Sequence, residues 1–166
     1  MTSEPYLVQQ TTGKKPVVLM ISDAGFEPVV LLLGDAGYSG YANIVTTSTK
    51  MVSEKPDLVQ RFINASIEGW YSFLYGDPSP AFAAILKANP DMTPGLLHYG
   101  YTQLKERGIL DSGDAKTLGI GAMTDARWKS FFDTASHLGL YPADLDYSKA
   151  YTLRFVDQKH GMDLKK

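Results

Sequence analysis

The sequence contains no cysteine, and this absence excludes several kinds of chemistry. Disulfide bonds, iron–sulfur clusters, zinc sites with cysteine ligands and thiol nucleophiles all need a residue that the chain lacks. The missing cysteines do not indicate a compartment, because cysteine-free proteins occur in the cytoplasm and in the periplasm alike.

The sequence also lacks a strong charge of either sign, an export signal and long apolar runs. Its formal net charge is −2 at pH 7, which gives no attraction to phosphate backbones, so we expect no nucleic-acid partner. The N-terminus "MTSEPYLVQQ" has neither the basic region nor the apolar region of a signal peptide. The apolar runs at residues 17–21 and 29–33 are too short to cross a bilayer. We therefore expect a soluble chain that is cytoplasmic as expressed.

The composition is that of a globular protein. A chain of 166 residues is long enough for one domain with a hydrophobic core. Hydrophobic residues make up 44% and charged residues 20%, which argues against disorder. No low-complexity linker divides the chain, so we expect residues 1–166 to form a single α/β unit.

Short β-prone runs lie near the start of the chain. "VVLMI" at 17–21 and "VVLLL" at 29–33 are bounded by proline and by Asp-Ala-Gly, which is typical of buried strands in a parallel or mixed sheet. "ANIVTTST" at 42–49 is a third β-prone run, and residues 151–156 could supply a last strand. The sequence therefore predicts a mixed sheet.

Two of these runs belong to a repeat. "KPVVLMISDAGF" at 15–26 is followed at once by "EPVVLLLGDAGY" at 27–38. One interpretation is a tandem duplication in which one copy is surplus. The other is a β-hairpin of two similar strands joined through "SDAGFEP".

After the strands, the apolar period becomes helical. The pattern predicts a long helix over Pro56–Tyr75, helices near 81–88 and 95–107, and one that begins after Thr124 and ends at Gly139. The segment "DQKHGMDLKK" is predicted to be a polar tail. The apolar residues of the long helix should face the sheet, and they are Val59, Phe62, Ile63, Trp70 and Phe73.

Glycine-containing motifs do not form a catalytic signature. "GYSGY" resembles a nucleophile elbow, but Gly40 stands one place too early for Gly-x-Ser-x-Gly. Gly119-x-Gly121 precedes a helix, yet the third glycine of a dinucleotide fingerprint is missing. We interpret it as a loop and helix cap in preference to a phosphate site.

The remaining polar residues do not suggest a metal site or a catalytic base. The histidines lack ligand spacing, and residues 111–114, "DSGD", lack the alternating oxygen ligands of a calcium loop. We therefore expect no catalytic residue, no metal and no cofactor. The three histidines are His98, His137 and His160.

Hydroxyl groups, aromatic rings and a carboxylate cluster in "TSEPY" and "GYSGY". In α/β folds, small molecules bind beyond the carboxyl ends of strands, where Glu and Tyr can hydrogen-bond and stack on a ring. The alternative is that these tyrosines only cover a sheet edge. The residues themselves leave both interpretations open.

Three longer stretches carry a family resemblance: "TSEPY", then "LLLGDAGYSGYANIVTTSTKMVSEKPDLVQRFINASIEGWYSFLYGD", then "GILDSGDAKTLGIGAMTDARWKSFFD". They resemble the C-terminal half of periplasmic solute-binding proteins of ABC importers, in the group that binds thiamine pyrimidine precursors, nitrate, sulfonates and taurine. The resemblance runs from Thr2 to about Leu164. It implies an incomplete lobe of the type II periplasmic-binding-protein fold, a mixed sheet flanked by helices.

The resemblance also implies a function and partners. The expected function is binding of a small molecule such as a pyrimidine precursor, in partnership with an ABC permease and in the periplasm. Glu4, Tyr38, Ser39 and Tyr41 are expected at the ligand-facing rim. Because such proteins enclose the ligand between two lobes, one half alone should bind weakly or not at all.

There are two alternative functions. The first is a structural fragment that binds nothing and forms a homodimer through exposed edges. The second is an enzyme that makes the thiamine pyrimidine, as some fungal relatives do. Those enzymes use a cysteine and histidine cluster, and the absence of cysteine argues against an enzyme.

Overall fold

The computed structural model describes residues 37–165. The chain divides into two compact units, Met1–Tyr38 and Ser39–Lys166, and the second contains nearly all of the described residues. The strands predicted at 17–21 and 29–33, the first copy of the repeat at 15–26, most of its second copy and Glu4 lie outside the described residues.

The described part is built from helices joined by short connections. The long helix α2 is followed by three further helices of ten or more residues and by two short 3-10 helices. In chain order the α-helices are α1 (Thr49–Glu54), α2 (Pro56–Tyr75), α3 (Ser79–Ala88), α4 (Pro94–Glu106), α5 (Ala115–Leu118) and α6 (Asp125–His137), and the 3-10 helices are Tyr147–Ala150 and Met162–Leu164.

The predicted α/β fold class is wrong for the described residues, since residues 37–165 contain no strand and no sheet. Residues 42–48 form an irregular, exposed segment, and α1 begins at Thr49. Ser48 caps that helix, because its side chain accepts a hydrogen bond from the N–H of Met51 at 3.1 Å. Residues 151–156 are irregular and turn through a bond from the N–H of Val156 to the carbonyl of Leu153.

The limits of α2 are those that the sequence predicts. Pro56 stands in the first turn, where its missing N–H costs nothing. At the other end, the N–H of Gly76 donates to the carbonyl of Ser72 at 2.9 Å. A Cβ atom at position 76 would lie 2.7 Å from that carbonyl oxygen, so the turn that ends α2 requires glycine.

The other predicted helices are also present. Thr93 caps α4 and Thr124 caps α6, each accepting a hydrogen bond from the N–H three residues later. Two limits differ from the prediction: α6 ends at His137 and not at Gly139, and α3 begins at Ser79 with Pro78 as its N-cap. The N–H of Ser79 instead donates to the carboxylate of Asp77.

The core lies along one face of α2, where Ile67, Tyr71 and Leu74 are buried. This face differs from the predicted one, since Phe62 and Trp70 are exposed. The partners of α2 are helices, loops and the C-terminal segment, and no sheet covers it within residues 37–165. The partly buried residues around this cluster are Ile63, Phe73, Tyr75, Leu104, Leu110 and Met162.

The predicted polar tail contributes to this core. The N–H of Lys159 donates to the carbonyl of Leu118 at 3.2 Å, which ties the tail to the end of α5. Gly161 then passes over the ring of Tyr71. The hydroxyl of Tyr71 in turn accepts a hydrogen bond from the N–H of Ile120 at 3.2 Å, so the polar group of this buried residue is satisfied.

Candidate functional site

Residues 39–41, within "GYSGY", are held on the first turn of α6 by Arg127. The guanidinium Nε donates to the carbonyl of Ser39 at 2.7 Å, and Nη2 donates to the carbonyl of Gly40 at 3.2 Å. The guanidinium carbon also lies 4.3 Å from the centroid of the Tyr41 ring, which is a cation–π distance. One side chain therefore fixes three consecutive residues.

The hydroxyl groups of this segment also bond to the chain itself. The hydroxyl of Ser39 donates to that of Ser130 at 3.0 Å. The hydroxyl of Tyr41 accepts a hydrogen bond from the backbone N–H of Thr124 at 2.8 Å, one of the free N–H groups at the start of α6. The hydroxyl groups of Ser39 and Tyr41 therefore attach residues 39–41 to α6.

The four residues predicted for the ligand-facing rim have different outcomes. The structure places Ser39 and Tyr41 against α6, where they bond to the hydroxyl of Ser130 and to the N–H of Thr124. Tyr38 is exposed over 48% of its surface. Glu4 lies outside the described part of the chain, so its role stays a prediction.

An aromatic stack continues from Tyr41 across α6. The rings of Trp128 and Tyr151 are parallel within 8° at 4.7 Å, and Tyr41 contacts Trp128 from 5.5 Å at a tilted angle. The indole N–H of Trp128 is buried and has no hydrogen-bond partner among the described residues. Arg127 and Tyr151 could not be predicted as part of this site, because no local motif connects them to "GYSGY".

At the edge of this stack, the hydroxyl of Tyr151 donates to the carboxylate of Asp125 at 2.5 Å. This hydrogen bond to the carboxylate raises the pKa of Tyr151 to about 12, with smaller contributions from burial and from the negative charge of Asp125. The hydroxyl is therefore neutral at physiological pH and serves as a donor.

A second feature is a groove of about 790 Å³ between α2, α3 and α4. Its centre is an aromatic cluster in which Phe73, Phe82 and Tyr101 meet edge to face at 5.2–5.9 Å. The full lining is Ser66, Gly69, Trp70, Phe73, Ala81, Phe82, Ile85, Met92, Leu96, Leu97, Gly100, Tyr101 and Leu104.

The two hydroxyl groups of the groove bond to nearby carbonyls. Tyr101 donates to the carbonyl of Leu74 at 3.2 Å, and Ser66 donates to the carbonyl of Phe62 at 2.8 Å. Apart from the indole N–H of Trp70, the remaining lining side chains are apolar. The groove therefore offers contact area and aromatic faces, and it lacks the convergent polar groups that orient a polar ligand.

A third cluster joins the last described residue to α2. The carboxylate of Asp111 accepts hydrogen bonds from the hydroxyl of Tyr75 and from Nζ of Lys165, the latter at 2.8 Å. Both hydrogen bonds lower the pKa of Asp111, and the bond from Lys165 has the larger effect. Burial, followed by the hydrogen bond to Asp111, raises the pKa of Tyr75. The cluster holds the C-terminal segment in place.

Burial also acts on Asp157, in the same C-terminal segment. Its pKa is raised chiefly by burial, against the effect of a hydrogen bond from the N–H of Met123 at 3.2 Å. The negative charges of Asp114 and Asp125 raise it further. Asp157 also has a φ of +62°, so this acidic residue holds the turn that leads into the tail.

The glycine loop and the three histidines occupy different parts of the structure. A Cβ atom at Gly121 would lie 3.6 Å from the Ile67 side chain, so the glycine loop packs against α2. His160 lies 2.7 Å from the carboxylate of Glu68, His98 is on α4, and His137 ends α6. Within residues 37–165, no group of three or more His, Cys, Asp or Glu side chains is placed to hold a metal ion.

Comparisons of the chain with protein-family models, with curated proteins and with solved structures gave no match. The resemblance to solute-binding proteins therefore stays a prediction. Among the described helices, none combines the length and the apolar character that crossing a membrane requires.

Proposed function

We propose that this chain is a small-molecule-binding component of an ABC-type import system, without catalytic turnover, whose ligand is a planar solute such as a pyrimidine precursor. The sequence resemblance supports the class of function. The observation that carries the proposal is the fixation of residues 39–41 by Arg127, through two hydrogen bonds and a cation–π contact.

Fixation matters because a binding site gains affinity when its parts are ordered before the ligand arrives. Ordering a flexible side chain or loop on binding costs about 0.5–1.5 kcal/mol per immobilised group. Arg127 removes this cost for the backbone of Ser39, Gly40 and Tyr41. Tyr38 directly precedes them in the chain and is exposed over 48% of its surface, and aromatic rings of this kind stack on planar solutes.

Titration of the full chain with the hydroxymethyl aminopyrimidine precursor of thiamine, followed by calorimetry and ligand-observed NMR, tests the proposal. We expect weak saturable binding, with a dissociation constant of about 1 mM. Tyr38→Ala should weaken it by about 2–12-fold, because an aromatic stacking contact contributes about 0.5–1.5 kcal/mol. Tyr141→Ala, which removes an equally exposed tyrosine, should leave affinity unchanged.

The role of Arg127 has its own control on the same helix. Arg127→Ala should weaken binding, because residues 39–41 lose their three contacts. Lys129→Ala removes an exposed cation paired with Asp133 and should have no effect. The absence of saturable binding up to about 10 times the expected dissociation constant, or equal affinities for Tyr38→Ala and Tyr141→Ala, would contradict the proposal.

A further inference from the structure

Two neighbouring amides at the start of α6 bond to distant parts of the chain. The carboxylate of Asp157, in the C-terminal segment, accepts a hydrogen bond from the N–H of Met123 at 3.2 Å. The N–H of the next residue, Thr124, donates to the hydroxyl of Tyr41 at 2.8 Å. One amide is therefore bonded to the C-terminal segment, and the amide that follows it is bonded to the candidate site.

The planarity of the peptide bond links these two amides. The N–H groups of Met123 and Thr124 belong to adjacent planar units that share only the Cα atom of Met123. When a hydrogen bond fixes the first plane, the second plane can turn only about the two backbone dihedrals of Met123. The direction of the Thr124 N–H, and with it the attachment of the Tyr41 hydroxyl, therefore depends on Asp157.

The segment that carries Asp157 has a costly backbone conformation. Asp157 and Lys159 have φ values of +62° and +58°, which residues other than glycine adopt at a cost in free energy. The N–H of Lys159 donates to the carbonyl of Leu118, so contacts with other parts of the chain maintain this conformation. Backbone strain of this kind is often found where the placement of a residue serves a functional site.

The carboxylate of Asp157 is half-buried in a negative environment. The charged groups that face it are Asp114, the N-cap of α5, and Asp125, the first residue of α6. Asp114 also lies 3.5 Å from the hydroxyl of Thr124. Burial, together with these like charges, raises the pKa of Asp157 against the effect of the hydrogen bond from Met123. Asp157 therefore takes up a proton at a higher pH than an ordinary aspartate, whose pKa is about 3.9.

We propose that Asp157 is a positioning residue of the candidate site, which orients the amides at the start of α6 so that the hydroxyl of Tyr41 stays attached. A charged acceptor forms a hydrogen bond about twice as strong as a neutral one, so protonation of Asp157 loosens this attachment. What the attachment contributes to ligand binding rests on the proposed function, whereas the coupling between Asp157 and Tyr41 does not.

An NMR titration of the isotope-labelled full chain without ligand tests the coupling. We expect the amide signals of Met123 and Thr124 and the ring signals of Tyr41 to shift with one common midpoint, above about pH 3.9. Asp157→Asn should lose this common shift, because its side chain does not titrate, while asparagine tolerates the positive φ. Asp163→Asn is the matched control, since Asp163 is an exposed aspartate of the same segment, and it should keep the shift.

A further variant separates positioning from a general effect on stability. Asp114→Asn removes one of the negative charges that face Asp157, so the common midpoint should move to lower pH while the three signals still shift together. A residue that only stabilised the fold would change the free energy of unfolding without giving these signals one midpoint. Different midpoints for Met123 and Tyr41, or a common shift that persists in Asp157→Asn, would overturn the proposal.

A titration with the hydroxymethyl aminopyrimidine precursor of thiamine distinguishes this proposal from the proposed function. At neutral pH, Asp157→Asn should bind it at least about twofold more weakly than wild type, and Asp163→Asn should bind it equally well. If the signals shift together and no variant binds the solute, the positioning role of Asp157 holds and the proposed function fails. If the solute binds and the signals titrate independently, the proposed function holds and the role of Asp157 fails.

Discussion

A Cβ atom on Gly161 would lie 2.9 Å from Cδ2 of Tyr71, so the backbone of the C-terminal segment touches the most deeply buried ring of the core. Tyr71 retains 2% of its surface exposed, and Gly161 is one of the residues that cover it. Gly161 also has a φ of +71°, a conformation that other residues adopt at a cost. The core is therefore completed by the last residues of the chain.

We expect Gly161→Ala to destabilise the protein by about 2–4 kcal/mol. About 1 kcal/mol comes from the left-handed backbone, and the rest from crowding against the ring. Gly139→Ala is the matched control, since Gly139 has a φ of +73° and open space around it, and it should lose only the backbone contribution. Urea unfolding of both variants measures the difference. Equal losses of unfolding free energy in the two variants would mean that the tail shifts to accommodate the Cβ atom without crowding Tyr71.

The hydrogen bonds from Lys165 and Tyr75 to Asp111 predict a loss of stability in acid. They lower the pKa of Asp111 in the folded state, below the value of about 3.9 in an unfolded chain. Such a group stabilises the fold above its unfolded pKa, and this contribution is lost as the pH falls through the folded pKa. Asp111→Asn should therefore be less stable than wild type at neutral pH, and the gap should narrow below about pH 4.

Free energies of unfolding at about pH 7 and about pH 3 check this expectation. Asp144→Asn, which removes an exposed carboxylate, serves as the control and should show a smaller dependence on pH. A gap between wild type and Asp111→Asn that stays constant down to strongly acidic pH would exclude the cluster as an acid-sensitive contact.

The hydrogen bond between Tyr151 and Asp125 predicts an effect at alkaline pH. The pKa of Tyr151 is raised to about 12, above the unfolded value of about 10, so its contribution to stability is present below about pH 10 and is lost between about pH 10 and 12. Asp125→Asn should lower this pKa. Tyrosinate absorbance of each protein, with Tyr151→Phe to identify the signal, measures the change. Identical titration of Tyr151 in wild type and Asp125→Asn would refute this assignment.

Helix ends could be predicted from sequence because the groups that define them are close together in the chain. Pro56 in the first turn and Gly76 after the last turn set the limits of α2. Thr93 and Thr124 cap their helices through an N–H three residues later. No distant part of the molecule is needed for these contacts, so the residue types alone indicate them.

The buried face of α2 could not be predicted in the same way. Its apolar residues cover two adjacent faces, and periodicity does not distinguish them. Ile67 and Tyr71 are buried under the glycine loop and the tail, whereas Phe62 and Trp70 are exposed. The choice depends on Gly121 and Gly161, which reach α2 from distant positions in the sequence.

The incorrect strand at 42–49 has a related cause. β-Branched residues such as Ile44 and Val45 favour an extended chain, and an extended segment becomes a strand only when a neighbour pairs with it. In the described residues no neighbour does so, and the segment ends where Ser48 caps α1. β-Propensity alone therefore did not produce a strand, because a sheet also needs a pairing neighbour.

The features of the candidate site also fall into local ones, which the sequence indicates, and long-range ones, which it does not. The sequence by itself determined that Ser39 and Tyr41 are near one another, that α6 begins after Thr124 and that no cysteine chemistry is available. Only the tertiary structure decided that Arg127 bonds to residues 39–41 and that Trp128 stacks on Tyr151. The reason is physical, because caps and turns are contacts between neighbours in the chain. Cation–π and stacking contacts instead depend on how distant segments pack.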